Sequence, residues 1–393
     1  MSLVQVVGGG VFGLAAVLEL ASRGYSVRLV DRGPLPEPRA ASTDISKVFR
    51  IAYGADEPMI ELAEEARRGW LERDEERRRM GLAPLYHETG VVIASLAPMQ
   101  PGSFEHESWR QLRLRGYRLL RLGEMRARGR YPRCPESFAD GFLLDEAGWL
   151  DGRAVVDDLR ARAHGAGVEI RESTPVVSLI EQHGAVRGLR TAAGEVLEGD
   201  LTVLACGSWT AALLPELGGS LRQTYHPVWH LRPLVAADFA VDQFPVFTAE
   251  ISRLGFYGFP LHPRSGVVKI GRHAQGVQVA DDADLGVPRE ESRRLDRFLD
   301  RHLPALGGSE IVSSRLCPYC DSPDESFWIA RHPRLDGLTV AAGDSGHGFK
   351  FAPVLGRLIA DAVEGRAHAL SERFAWRTEQ RGRPGRDAMR RRF

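Results

Sequence analysis

A short apolar run, residues 4–7, leads straight into Gly8-Gly9-Gly10-Val11-Phe12-Gly13. A helical pattern follows to about Arg23, Gly24 stops it, and a second apolar run over residues 26–30 ends in Asp31. This is a βαβ opening that carries the Gly8-x-Gly10-x-x-Gly13 fingerprint. The first glycine makes the tight turn, the second lets the backbone approach a pyrophosphate, and the third lets helix and strand pack closely. The pyrophosphate then rests on the helix N-terminus. Asp31, 18 residues past Gly13, stands where a carboxylate grips a ribose hydroxyl. Alone, the glycine pattern is only a tight turn with a surface acid nearby. Its position between strand and helix is what predicts a dinucleotide site, without separating a flavin from a nicotinamide dinucleotide.

Only three of the 52 basic residues are lysine: Lys47, Lys269 and Lys350. A guanidinium is a flat fork that stays charged, whereas an ammonium is a compact point charge that can lose its proton when buried. In a chain that uses arginine almost everywhere, the remaining lysines mark positions where arginine fails. Lys269 lies in an apolar strand, residues 266–270. An unpaired ammonium is costly to bury, so Lys269 requires a partner or a function.

At 393 residues the chain is long enough for two domains. Its net charge of zero gives no pointer to nucleic acid or an anionic membrane. No apolar run approaches the roughly 20 residues that span a bilayer, and the N-terminus reads as a strand and not as a signal peptide. Four cysteines in a chain this size make no disulfide framework, and a cytoplasmic protein is expected. An amphipathic helix is predicted over 56–80, with Met59, Leu62, Ala63, Ala66 and Trp70 on one face. Partial helix is expected over 109–130, and helices over 152–164, 289–303 and 353–363. Strands are expected over 90–94, 168–171, 176–179, 186–189, 201–205, 254–259, 267–271 and 338–342. The Arg-rich segment from residue 377 reads as a frayed, solvated tail.

Cys317-Pro318-Tyr319-Cys320 has the spacing of a redox dithiol, but that motif opens a helix in a small βαβ domain. Here Asp321-Ser322-Pro323-Asp324 follows, which reads as a turn. A zinc half-site lacks its second cysteine pair, and no metal site is expected.

Several segments together resemble the monomeric sarcosine oxidase family of FAD-dependent amine oxidases, within the D-amino-acid oxidase superfamily. They are the Gly8–Gly13 opening with Asp31, residues 44–54 (Asp44-Ile45-Ser46-Lys47 onward), Cys206-Gly207-Ser208-Trp209, Val268-Lys269-Ile270-Gly271-Arg272-His273, Cys317-Pro318-Tyr319, residues 324–327, and Ser345-Gly346-His347-Gly348-Phe349-Lys350-Phe351. They occur in the family's order from residue 4 to about 365. The resemblance implies an α/β fold: an FAD-binding Rossmann-like domain (1–85, 146–218 and 321–376) interleaved with a substrate domain on a mixed or antiparallel sheet (86–145 and 219–320). The Arg-rich tail, 377–393, lies outside both.

The family pattern also implies roles. Arg50 and Lys350 would bind a substrate carboxylate, with Phe256 standing where the sarcosine enzymes carry a tyrosine. Lys269 would sit beside the flavin and assist oxygen activation, and His273 and Tyr319 would line the catalytic pocket. FAD would be held by Gly8, Gly10, Val11, Phe12, Gly13, Asp31, Arg32, Ser42, Thr43, Ser46, Lys47, Cys206, Gly207, Trp209, Gly346, His347, Gly348, Phe349 and Lys350, and bonded covalently through Cys317. Lys47 replaces an arginine of the sarcosine enzymes and Thr43 a histidine. The chain is therefore more similar to members that oxidise fructosyl amino acids, pipecolate or other bulkier amines. The implied activity is oxidation of a C–N bond by O2 to an imine and hydrogen peroxide, in a monomer. The alternatives are a dehydrogenase or desaturase with another electron acceptor, a non-catalytic flavin-binding protein, and an NAD-dependent dehydrogenase.

Overall fold

The computed structural model describes residues 2–274, 276–277 and 285–377. Two large sheets organise them. The first has six strands in the order Trp328–Arg331, Leu338–Ala342, Leu201–Leu204, Leu3–Val7, Ser26–Val30 and Glu169–Arg171. All pair in parallel except Trp328–Arg331, an antiparallel edge. Parallel strands covered on both faces read as continuous apolar runs, which is why the stretches at 4–7 and 201–204 carry so little polarity.

Helix Val11–Ser22 follows the first strand and is buried along most of its length. It packs against helices Gly152–Gly165 and Ala352–Glu364. Close approach here depends on small residues. A Cβ on Gly13 would lie 1.8 Å from the Gly8 carbonyl oxygen, and one on Gly356 would lie 2.5 Å from that of Ala15. Gly8 itself has φ +106°, a conformation open to glycine and strained for other residues.

The second sheet has eight strands: Glu310–Asp321, Arg222–Arg232, Val268–Arg272, Phe256–Gly258, Val246–Ala249, Val91–Ser95, Asp140–Leu144 and Leu119–Arg121. It is mixed, because Val246–Ala249 and Val91–Ser95 run parallel in an otherwise antiparallel array. Its core is aromatic: Trp229, Phe247 and Phe256 pack with Phe298 of helix Arg289–His302, which has charged residues on its other face. A small sheet of Ser46–Phe49, Gly148–Asp151 and Tyr86–His87 lies where the chain passes from one large sheet to the other.

Two sequence expectations need correction, and the partial helix expected over 109–130 is present as Phe104–Leu114 and Leu122–Ala127, with strand Leu119–Arg121 between them. Gly116, at φ +85°, turns the chain after the first. The strand expected over 254–259 shortens to Phe256–Gly258, because Gly255 breaks it with φ +74°. Arg377 is not frayed. Its guanidinium meets Asp324 at 3.0 Å, donates to the carbonyls of Ser326 and Phe327, and lies over the Trp328 ring. The rest of the expected tail, 378–393, lies outside the described residues.

Gly13→Ala tests the contact that closes the first helix on its strand. The added methyl meets backbone that has no room to move, so the variant should lose about 1–3 kcal/mol, read as a lowered midpoint in thermal or urea denaturation.

Candidate functional site

A cavity of about 510 Å³ runs between the two sheets. At one end lie Gly8, Gly10, Val11, Phe12, Asp31 and Arg32; at the other lie Arg50, Tyr257, Lys269, His273, Tyr319 and Lys350. All three lysines of the chain are on its wall.

At the glycine end, Gly10 caps the first helix without a side-chain hydrogen bond, and Val11 N–H donates to Ser42 Oγ at 3.0 Å. Asp31 accepts N–H groups from Gly9 at 2.6 Å and Gly33 at 2.9 Å. Burial pushes its carboxyl above the ordinary range, against those two donors. Arg32 lies over the Trp209 ring, 5.2 Å from its centre. Ser208 Oγ, buried on the same wall, has no hydrogen-bond partner among the described residues. A helix N-terminus, a buried carboxylate and an unpartnered hydroxyl on one apolar wall fit a dinucleotide with its pyrophosphate over Gly10.

At the other end, Lys269 is 2% exposed. Its Nζ pairs with Asp44 Oδ2 at 2.5 Å and donates to the Ser46 carbonyl at 2.7 Å. Burial pushes the ammonium down to about 8, against the pull of Asp44. Burial alone would raise the Asp44 carboxyl, but Lys269, His230 and Lys47 overrule it and hold it well below the carboxylate range. Lys47 Nζ donates to the Ala41 carbonyl at 2.6 Å and lies 5.7 Å from the Phe349 ring centre.

Arg50 and Lys350 are both buried, and both cations lie on the Tyr53 ring, at 4.6 and 4.8 Å from its centre. Arg50 also donates to the Ala52 carbonyl, and Lys350 Nζ to that of His347 at 3.0 Å. Trp70 Nε1 fixes the backbone of Lys350 by donating to its carbonyl at 2.7 Å. Tyr53 OH donates to His347 Nδ1 at 3.1 Å, since His347 Nε2 points at the Glu325 carbonyl and carries the proton.

None of the four cysteines is in a disulfide. Strand Glu310–Asp321 alternates, so Cys317 and Tyr319 face the cavity while Cys320 faces the core beside Val7 and Leu204. Opposite faces exclude a Cys317–Cys320 dithiol. Cys206 donates to the Val7 carbonyl, and burial pushes its thiol up to about 12. Arg315 Nη2 approaches Cys317 Sγ at 3.6 Å.

Most expected site residues line this cavity: Gly8, Gly10, Val11, Phe12, Asp31, Arg32, Ser42, Ser46, Lys47, Arg50, Cys206, Gly207, Trp209, Lys269, His273, Cys317, Tyr319, Gly346, His347, Phe349 and Lys350. Gly13 and Gly348 act one layer behind it. A Cβ on Gly348 would lie 2.6 Å from the ring of Phe12. Thr43 is off the wall, with its hydroxyl buried and without a hydrogen-bond partner among the described residues. Phe256 is a correction. It stacks on Phe298 with ring centres 4.0 Å apart, inside the core. Its neighbour Tyr257 lines the cavity instead. The signal was pairing: Tyr257 sits opposite Gly271, which shares the face of Lys269, and the missing side chain leaves room for the Tyr257 ring. Asp44 and His230 also escaped the sequence reading, because a buried partner from a distant segment leaves no local pattern. No group of described residues could hold a metal ion, and no described helix is long and apolar enough to cross a membrane.

A family model described as FAD dependent oxidoreductase matches residues 4–362. Monomeric sarcosine oxidase of Bacillus sp. (strain NS-129) is 28% identical over 364 residues, covering 91% of each chain. N-methyl-L-tryptophan oxidase of Escherichia coli (strain SMS-3-5 / SECEC) is 30% identical over 378 residues, covering 91% of this chain and 94% of that one. Among solved structures, fructosamine oxidase from Aspergillus fumigatus (Amadoriase II) matches with a TM-score of 0.81 at 27% identity, over 96% of this chain and 90% of that one.

Asp44→Asn would leave the Lys269 ammonium buried without its counter-charge. The variant should lose about 3–5 kcal/mol near neutral pH. Without Asp44, Lys269 sheds its proton at lower pH than in the native protein, so the deficit should narrow as pH rises toward about 8. Thermal denaturation of both proteins from pH 6 to 8 reads this directly.

Proposed function

The chain belongs to the family of FAD-dependent oxidoreductases, and from that premise we propose that it is an oxidase of the C–N bond of a secondary amine or N-substituted amino acid. Its products would be an imine and hydrogen peroxide. The observation that carries this reading is the pairing of Arg50 and Lys350 on Tyr53, in one cavity with the buried cation Lys269. Relatives named for sarcosine, N-methyl-L-tryptophan and fructosamine support the substrate class. The word monomeric in one name supports a single-chain enzyme.

Bound FAD would supply the redox chemistry, taking a hydride equivalent from the carbon beside nitrogen and passing the electrons to O2. The chain supplies orientation and field. Arg50 and Lys350 present two buried cations to one carboxylate, and charge-assisted hydrogen bonds there set the position of the amine. Tyr257, His273 and Tyr319 would close the pocket around it. Lys269 keeps a positive charge on the wall where negative charge grows on oxygen, a fixed field in a water-poor site. Cys317, on the cavity wall beside Arg315, would hold FAD through its 8α-methyl group.

Oxygen uptake and peroxide release should follow addition of an N-methyl or N-fructosyl amino acid. A flavin that substrate reduces but O2 leaves reduced would move the protein to another electron acceptor. Lys269→Met should slow reoxidation by O2 about 100-fold or more while slowing reduction far less. In the native protein, reoxidation should fall as pH rises through about 8, where Lys269 gives up its proton. Stopped-flow absorbance separates the two half-reactions.

Arg50→Ala or Lys350→Ala should each weaken substrate binding by about 10–100-fold, as expected for one charged hydrogen bond. An amine analogue without the carboxylate should lose little between native and variant. Acid precipitation should leave yellow colour in the native pellet and release it to the supernatant in Cys317→Ser.

A further inference from the structure

One end of the eight-stranded sheet carries a row of polar side chains, and beyond Lys269 the proposed reaction uses none of them. His230 on strand Arg222–Arg232 lies directly opposite Lys269 on one neighbour and opposite Ser313 on the other. Residues directly opposed across antiparallel strands point to the same face. Lys269, His230 and Ser313 therefore form one lateral row, from the sheet interior to strand Glu310–Asp321, which ends the sheet. The links are short. Lys269 Nζ meets Asp44 Oδ2 at 2.5 Å, His230 Nε2 meets Asp44 Oδ1 at 3.1 Å, and His230 Nδ1 meets Ser313 Oγ at 2.8 Å. Burial falls along the row: Lys269 is buried, His230 partly open and Ser313 exposed.

We propose that Ser313, His230 and Asp44 form a proton path that connects solvent at the sheet edge with Lys269. This deepens the oxidase reading and rests on it. Peroxide formation consumes protons, and Lys269 is 2% exposed, so bulk solvent does not reach its ammonium freely. Asp44 is its only titratable ion-pair partner among the described residues, and the second Asp44 oxygen leads outward to His230. Ionised Asp44 accepts only, so His230 carries a proton on Nε2, and the neutral ring takes the Ser313 hydroxyl at Nδ1.

When Lys269 gives a proton into the cavity, solvent protonates His230 at Nδ1 through the Ser313 hydroxyl, and the imidazolium so formed passes its Nε2 proton to Asp44, which hands it to Lys269. The ring, left protonated at Nδ1, returns to its resting form by exchange with solvent. One proton enters at the edge for each one that leaves Lys269, and no electrons move along the row. The other titratable groups in electrostatic contact with Asp44 are Lys47, Tyr257 and Arg315. None of them is hydrogen-bonded to its carboxylate.

His230→Gln retains an N–H donor toward Asp44 but cannot carry a proton. In the flavin-loaded variant, reoxidation by O2 should slow at least about tenfold more than reduction by an N-methyl amino acid. Added imidazole should restore part of the loss. Equal slowing of both half-reactions, or no slowing of reoxidation, would overturn the proposal. A second readout needs no turnover and no variant. The 15N shifts of His230 in the native holoenzyme should place the resting proton on Nε2, and a proton on Nδ1 would overturn the row as drawn. If no amine reduces the flavin, the oxidase reading fails while the tautomer still decides the geometry of the row.

Discussion

The ion pair between Lys269 and Asp44 is the contact on which the site depends. Lys269 belongs to the eight-stranded sheet; Asp44 lies just before strand Ser46–Phe49, on the chain that leaves the six-stranded sheet. With the Ser46 carbonyl as a second acceptor, the lysine ties the two halves of the molecule together across the cavity they enclose. Such a pair is weak as a source of stability, because desolvation offsets most of its attraction. Its effect is positional. A buried ammonium has few satisfactory arrangements, and the one present sets the distance between the sheets.

The carboxylate end is fixed in a similar way from the opposite direction. Arg50 comes from the segment after Ser46–Phe49 and Lys350 from the short turn after strand Leu338–Ala342. Tyr53 brings them together by offering one ring to both cations. Trp70 on helix Glu57–Arg79 holds the Lys350 backbone, so a long amphipathic helix that never touches the cavity still sets its shape. Gly346 is part of this arrangement: a Cβ there would lie 2.1 Å from the Tyr319 ring, so the turn carrying Lys350 packs against the strand carrying Cys317 only because no side chain intervenes.

Much of this was legible in the chain. The βαβ opening, the long helix after residue 56 and the apolar strands at 201–204 and 338–342 follow from periodicity, because each is a local pattern of burial. The three lysines were legible for a chemical reason. A chain with arginine nearly everywhere else keeps ammonium groups at Lys47, Lys269 and Lys350, and all three line the cavity. Phe256 failed for an equally physical reason. In a strand of three residues, one position of slip exchanges wall for core, and nothing in Phe256-Tyr257-Gly258 alone says which residue faces in.

By itself, then, the sequence determined what short-range physics can write: the dinucleotide turn, the helices and strands, and the residue types whose burial demands a partner. Only the tertiary structure decided which partner. Asp44 is far from Lys269 in the chain, as His230 is from Asp44, and their contacts arise from cross-strand register and from the way two sheets close on each other. A charge pattern along a chain shows that a buried ammonium needs an anion. Which carboxylate arrives, and what stands behind it, depends on folding distances that no local spacing records.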